Sequence, residues 1–265
     1  MTGGDMAVAI DELAAGIAGP DGDVVTRARR LTDWLHGSLE WVATDYQQRS
    51  VDEILERGAG NCAEQAKVLD ALLRASGIQT RWIAEINVHP ASEQRQADSE
   101  GLKEQFGLGA AVFDYRHNDH RWLEIRDDEA GEWLPADATL AVVGVAGWIE
   151  ARLGFEPRPP DAEEMLVPFC IVVRDLDRVL HENRTGHYLI DLFNQHYGGG
   201  LEGLAAWGSW TEQALELGEL GARTFRNEYD LHGEIQRIER FLETYRELAE
   251  QARSAGIKRV KIVSN

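Results

Sequence analysis

Two helix-start signals stand close together in this chain, Ser50 with Glu53 and Asn61 with Glu64, and Gly58 and Gly60 lie between them. Ser and Asn accept from backbone N–H groups at a helix start, and a Glu three residues on can reach back to the cap's own N–H. The pattern predicts a short helix stopped at Gly58 and a second helix restarted at Asn61. It continues through Ala66, Leu69, Leu72 and Leu73 to Gly77, a C-terminal cap. Cys62 is then the first residue of that helix. A thiol there meets unpaired N–H groups and the positive end of the helix dipole, which favour the thiolate that attacks carbonyls. A structural cysteine belongs instead on the apolar stripe in mid-helix, so Cys62 reads as a nucleophile in search of a base.

Upstream, Val24, Ala28, Leu31, Leu35, Leu39 and Val42 recur at spacings of three and four, predicting an amphipathic helix over about 23–45. Downstream, Thr80–Val88 is strand-like, and 90–108 reads as a polar excursion, a lid or a solvated loop. Ala110–Tyr115, His120–Ile125 and Glu132–Pro135 are further strand candidates, the last two joined by the polar turn 126–131. Strand period two puts His120, Trp122 and Glu124 on one face and Leu123 and Ile125 on the other. A hairpin centred between Asp128 and Glu129 would set His120 opposite Asp137 and Leu123 opposite Leu134. Directly opposed Cβ atoms lie about 4.5–5.5 Å apart, near enough for Asp137 to accept from one ring nitrogen while the other faces the thiol.

Composition narrows the partners. Of 265 residues, 43% are hydrophobic and 28% charged, as in ordinary globular proteins, while 46 acidic against 27 basic residues give a net charge of −19. Such a surface repels phosphate backbones and anionic lipid, so neither nucleic acid nor a membrane is expected as a partner. The first twenty residues carry Asp5, Asp11 and Glu12 and no Lys or Arg, unlike a signal peptide, and a cytoplasmic location is expected. The two cysteines, Cys62 and Cys170, lie far apart. No disulfide is expected in a reducing compartment, and Cys170, within the apolar run 167–173, reads as a buried structural thiol. His117, Asp119 and His120 lack a further ligand motif, so no metal or other cofactor is expected, and His117 and Asp119 read as turn residues. Pro157–Asp161 marks a boundary. Beyond it Leu231, Ile235, Ile238, Leu242, Tyr245, Ala249 and Ala252 form a helical stripe, Trp207 and Trp210 read as core, and Gly198–Gly200 as a connector.

Gly60-Asn61-Cys62, with Ala66, Leu72-Leu73-Arg74-Ala75, Gly77-Ile78 and Arg81, resembles the nucleophile segment of the transglutaminase-like superfamily. His120-x-Trp122-x-Glu124 resembles its histidine strand, and Trp133-x-Pro135-x-Asp137-Ala138-Thr139 its aspartate strand, in the same order along the chain. The resemblance covers roughly residues 25–145. It implies an α+β, papain-like core in which the helix bearing the cysteine packs on an antiparallel sheet, with a Cys62–His120–Asp137 triad. The expected organisation is a catalytic core with N-terminal helices over 1–155 and a mainly helical extension over 156–265, packed on the core.

The expected chemistry is thiol-dependent acyl transfer or hydrolysis at a peptide-like amide or thioester. Cys62 is the nucleophile, His120 the base and then acid, and Asp137 the group that orients His120. Gln47, Gln48 and Trp41 are candidates for the second oxyanion donor beside the Cys62 N–H, and Trp122 for a wall of the substrate cleft, core packing being its other reading. The substrates in view are a peptide, a protein, or a small acyl donor and amine. An amide synthase of natural-product assembly and a non-catalytic interaction module with the same fold are the alternative readings.

Overall fold

In the computed structural model, which describes residues 3–108, 113–156 and 167–260, the helix caps lie where the sequence puts them. After α1 (Gly3–Ala18) and α2 (Val24–Ser38) come β1 (Glu40–Trp41), α3 (Val51–Arg57), β2 (Ala59–Gly60) and α4 (Cys62–Ala75). Then follow β3 (Thr80–Val88), α5 (Glu93–Phe106), β4 (His117–Asp127), β5 (Glu132–Asp137), β6 (Val142–Val143) and α6 (Val145–Leu153). The remainder holds β7 (Pro168–Arg174), β8 (Leu180–Asn183), a π-helical turn His187–Leu192 running into α7 (Phe193–His196), a 3-10 turn Gly200–Gly203, α8 (Trp207–Phe225) and α9 (Ile235–Ser254). Six strands hydrogen-bond in the order β6-β5-β4-β3-β7-β8. The β4–β5, β5–β6 and β7–β8 pairs are antiparallel. The fold is therefore α+β, with a mainly helical C-terminal region. The chain divides into two compact units, residues 1–83 with 120–148, and residues 84–119 with 149–265.

The first unit is built on the cysteine-bearing helix. Leu69, Leu72 and Leu73 of α4, Leu31 and Leu35 of α2, Ile54 of α3, and Leu123, Ile125 and Ala136 of the β4–β5 hairpin are fully buried in one cluster. Each leucine taken from water contributes about 1.5–3 kcal/mol, which fixes α4 against the sheet. Helix α2 stops at Ser38, short of the expected 45. Leu39 turns extended, and Trp41 pairs in parallel with Gly60. The backbone bonds Glu40 N–H to Gly58 C=O and Val42 N–H to Gly60 C=O replace helical ones there, so Val42 only mimicked the helical spacing.

The β4–β5 register differs from the expected one by two residues. Leu123 faces Ala136, and Ile125 faces Leu134. The turn sets this: Gly131, with φ 72°, supplies its left-handed residue and donates its N–H to Asp127 C=O. The Asp127 carboxylate accepts from the Glu129 and Ala130 N–H groups. The loop therefore runs 128–131, centred one position later than the sequence reading.

In the second unit, α8 meets its neighbours closely at two glycines, one against β7 and one against Thr185 just after β8. A Cβ on Gly221 would lie 2.6 Å from the Cys170 Cβ, and one on Gly218 would lie 2.7 Å from Thr185 Cγ2. Cys170 is fully buried, its thiol near the Gly218 carbonyl, and burial pushes its pKa up. Trp210 is core, as expected, its ring stacked on Phe241 at 4.7 Å and its Nε1–H donating to Leu189 C=O. The excursion at 90–108 is largely helix α5 rather than a loop. It is polar along its length, and polar bonds hold it: Ser92 caps it, Ser99 Oγ meets His232 Nε2 at 2.8 Å, and Lys103 pairs with Asp230 at 2.9 Å. Of the strand expected at 110–115, residues 110–112 lie outside the described residues and 113–115 are irregular. The Pro157–Asp161 boundary also lies outside them.

His117 and Asp119 are strand residues of β4, not turn residues. His117 is 1% exposed and meets the Phe169 ring edge-on at 6.0 Å. Burial, reinforced by the neighbouring His232, pushes its imidazole down from 6.5 to about 3. The fold therefore holds His117 neutral, while the unfolded chain takes up the proton as pH falls through 6.5. Stability present above that pH is lost between it and about pH 3, by up to about 1.4 kcal/mol per pH unit. His117→Phe removes this component. Denaturant titrations from pH 7 to 4 should show the wild type losing stability relative to the variant below pH 6.5, and parallel curves would refute the assignment.

Candidate active site

Three segments of the first unit carry the residues singled out in the sequence. Asn61 caps α4 with its side-chain oxygen, accepting from the Ala63 and Glu64 N–H groups at 3.0 and 3.1 Å. The Glu64 carboxylate accepts from the Asn61 N–H at 3.1 Å, completing the capping box. Cys62 is the first residue of the helix, partly exposed and not in a disulfide. It thus stands where helix N–H groups and the positive dipole end face outward. Gly60 leaves room for this turn, since a Cβ there would meet the Glu64 Cβ at 3.1 Å.

His120 on β4 and Asp137 at the end of β5 meet directly, Nε2 to Oδ2 at 2.7 Å, with 7% and 1% exposure. The two-residue shift in register makes them diagonal rather than opposed neighbours, but on the same face, and an imidazole and a carboxylate span that diagonal. Asp137 is itself fixed, its Oδ1 accepting from the Thr139 N–H at 2.9 Å and the Leu140 N–H at 3.3 Å. A carboxylate only accepts, so Nε2 carries the ring proton and the neutral imidazole presents its lone pair at Nδ1.

The other predicted residues divide. Trp122 is 1% exposed, its ring 5.6 Å from that of Trp148, so it fills the core rather than walling a cleft. Trp41 is 57% exposed on β1, in register with Gly60, two residues before the cysteine. Gln47 and Gln48 are exposed on the stretch between β1 and α3, with the Gln47 amide oxygen accepting from Arg49 at 3.3 Å. Glu124, on the face of His120, is fully buried and accepts from Arg81, whose guanidinium lies 4.5 Å from the centre of the Trp133 ring. The sequence reading missed Arg49, which donates to Glu64 at 2.8 Å and chelates Asp45 with both terminal nitrogens. The box position of Glu64 was the one signal near it, and it named a cap, not an ion pair. Among the described residues, no group of three or more His, Cys, Asp or Glu side chains could hold a metal ion, and no helix is long and apolar enough to cross a membrane.

A helix-borne cysteine in the same unit as a buried imidazole–carboxylate pair on an antiparallel hairpin is the arrangement of cysteine-dependent enzymes with a papain-like core. Residues 11–138 match the family model of the transglutaminase-like superfamily. Two solved structures are similar. A candidate cysteine protease from Cytophaga hutchinsonii is 21% identical with a TM-score of 0.37, over 52% of this chain and 40% of that one. A candidate protease from Parabacteroides distasonis is 18% identical with a TM-score of 0.36, over 50% of this chain and 23% of that one. No curated protein matches the chain.

Asp137→Asn tests the imidazole's orientation. The amide oxygen can keep the Thr139 and Leu140 N–H bonds, while its NH2 turns to Nε2 and forces the ring proton onto Nδ1. The fold should survive with an unchanged melting temperature, and kcat should fall by about 10³–10⁴-fold, as expected when a triad imidazole is held in the wrong tautomer. Wild-type turnover in this variant would remove Asp137 from the site.

Proposed function

We propose that the chain is a thiol enzyme that performs acyl transfer or hydrolysis at a peptide-like amide or thioester. The observation that carries this reading is the buried 2.7 Å bond between His120 and Asp137, in the unit whose helix α4 begins at Cys62. In the reading, Nδ1 of His120 takes the thiol proton and the Cys62 sulfur forms a bond to the substrate carbonyl carbon. The carbonyl oxygen becomes an oxyanion, with the Cys62 backbone N–H as first donor, such a donor being worth about 2.7–4 kcal/mol in this chemistry. The oxyanion collapses, the bond to the leaving nitrogen or sulfur breaks, and the imidazolium returns its proton to that atom. Water or an amine then attacks the thioester, losing a proton to His120. The carbon–sulfur bond breaks and the thiol is restored. Hydrolysis and amide formation thus share a first half and differ in what reaches the acyl-enzyme. Asp137 acts throughout by holding the ring, and Trp41, Gln47 and Gln48 remain the candidates for the second oxyanion donor.

The test is chemical. Iodoacetamide at low molar ratio should alkylate Cys62 and leave the buried Cys170 untouched, and His120→Ala should slow the Cys62 reaction at least tenfold. Turnover of peptide and thioester donors, with and without an amine, should disappear in Cys62→Ala at unchanged melting temperature. The product mass distinguishes hydrolysis from amide formation. Residual turnover near the wild-type rate in Cys62→Ala would overturn the reading. Equal, slow labelling of both cysteines would point instead to a non-catalytic module.

A further inference from the structure

Arg49 lies outside every motif read from the sequence, yet it joins the two segments on which the cysteine depends. Its Nη1 donates to Glu64 Oε1 at 2.8 Å and to Asp45 Oδ1 at 2.9 Å, and its Nη2 to Asp45 Oδ2 and to Gln47 Oε1. Its carbonyl accepts from the Lys67 ammonium of α4. Its side chain is 15% exposed and that of Glu64 is 9% exposed. The other oxygen of Glu64 accepts from the Asn61 N–H, with Arg57 Nη1 at 3.7 Å. One carboxylate therefore faces the backbone of the residue before Cys62 on one side and the Arg49 fork on the other. The same fork holds Asp45 and Gln47, which flank the left-handed residue Tyr46, at φ 59°.

We propose that Arg49 is a positioning residue for the Cys62 site, clamping the segment 45–49 to the capping box of α4 through Glu64. This rests on the proposed function, because it assigns Arg49 a part in the turnover that Cys62 performs. A planar guanidinium that chelates one carboxylate and reaches a second has little freedom to tilt, so its grip is directional. Glu64, drawn toward Arg49, keeps its second oxygen on the Asn61 N–H, which sets the direction in which α4 begins and hence where the sulfur points. Gln47, an oxyanion candidate, is held by the same fork. The clamp thus fixes thiol and loop together, and displacement of either by about 1 Å is enough to cost up to a hundredfold in rate.

Three variants test this, read by kcat and KM on the reporter ester p-nitrophenyl acetate, by iodoacetamide alkylation of Cys62, and by melting temperature. Arg49→Met should lower kcat by about 10–100-fold with KM within about twofold, and slow Cys62 alkylation. Arg49→Lys keeps the charge but not the fork, so it should fold like wild type and fall between wild type and Arg49→Met. Glu64→Gln keeps an acceptor for the Asn61 N–H, so its loss reports the Arg49 contact. Combined with Arg49→Met it should add less than its own effect, as for two groups that act as one. A lowered melting temperature with wild-type kcat in Arg49→Met and Arg49→Lys would overturn the proposal, as would a change in KM alone. Cys62→Ala run in parallel separates the two readings: if it still turns over the ester, the proposed function has failed, whereas if it is dead while both Arg49 variants are fully active, only the clamp has.

Discussion

The hydrogen bond between His120 and Asp137 constrains the parity of the hairpin that carries it. Side chains alternate across a strand with period two, so a slip of one residue between β4 and β5 would put the imidazole and the carboxylate on opposite faces, whereas a slip of two keeps them together. Burial imposes the same parity from the other face. Leu123 and Ile125 lie fully buried in the core with Ala136, and Leu134 packs against them, in the observed pairs Leu123–Ala136 and Ile125–Leu134. The apolar face and the polar face thus require one register class between them. The chemistry of the polar face is held in place by the packing of the apolar one.

This explains what was legible in the sequence and what was not. The caps at Ser50, Asn61 and Gly58 were readable because each depends on bonds between residues two to four apart. The faces of His120 and Asp137 were readable because alternation is local. The register itself was not, because it is decided in the turn, where Gly131 and the Asp127 carboxylate displace the centre the sequence reading assumed. Helix α5 was missed because it has no apolar stripe, and its anchors, Ser99 to His232 and Lys103 to Asp230, join residues far apart in the chain. Val42 was placed in a helix for the converse reason: its spacing was helical, but a parallel pairing of Trp41 with Gly60 claimed the backbone. Trp122 and Glu124 share a face with His120, and that face is covered rather than open, which alternation alone cannot tell.

Three buried glutamates share one arrangement. Glu64 meets Arg49, Glu124 meets Arg81 and Glu85 meets Arg152, and the acid in each pair is at most 7% exposed. In a chain with 46 acidic and 27 basic residues, cations are the scarcer partner, and each of these three glutamates has one. Such pairs add little net stability over an apolar pair of the same shape, yet losing the cation leaves the glutamate's charge buried and uncompensated. What they add is direction. Apolar contact tolerates small rotations, while a guanidinium against a carboxylate does not.

Two of these pairs sit on the elements that carry the proposed reacting groups. Glu64 lies in the first turn of α4, two residues after Cys62, and Glu124 lies on β4, on the face of His120. Leucines dock helix and hairpin to each other, but a leucine core allows the start of a helix to swing and a strand to slide by fractions of an ångström. A thiol and an imidazole that must exchange a proton do not tolerate that freedom. Arg49 and Arg81 act where the apolar core has least control, at the beginning of the helix and on the polar face of the strand. The proposed site thus draws on two kinds of contact: leucine burial that brings the elements together, and arginine–glutamate pairs with the direction that burial lacks.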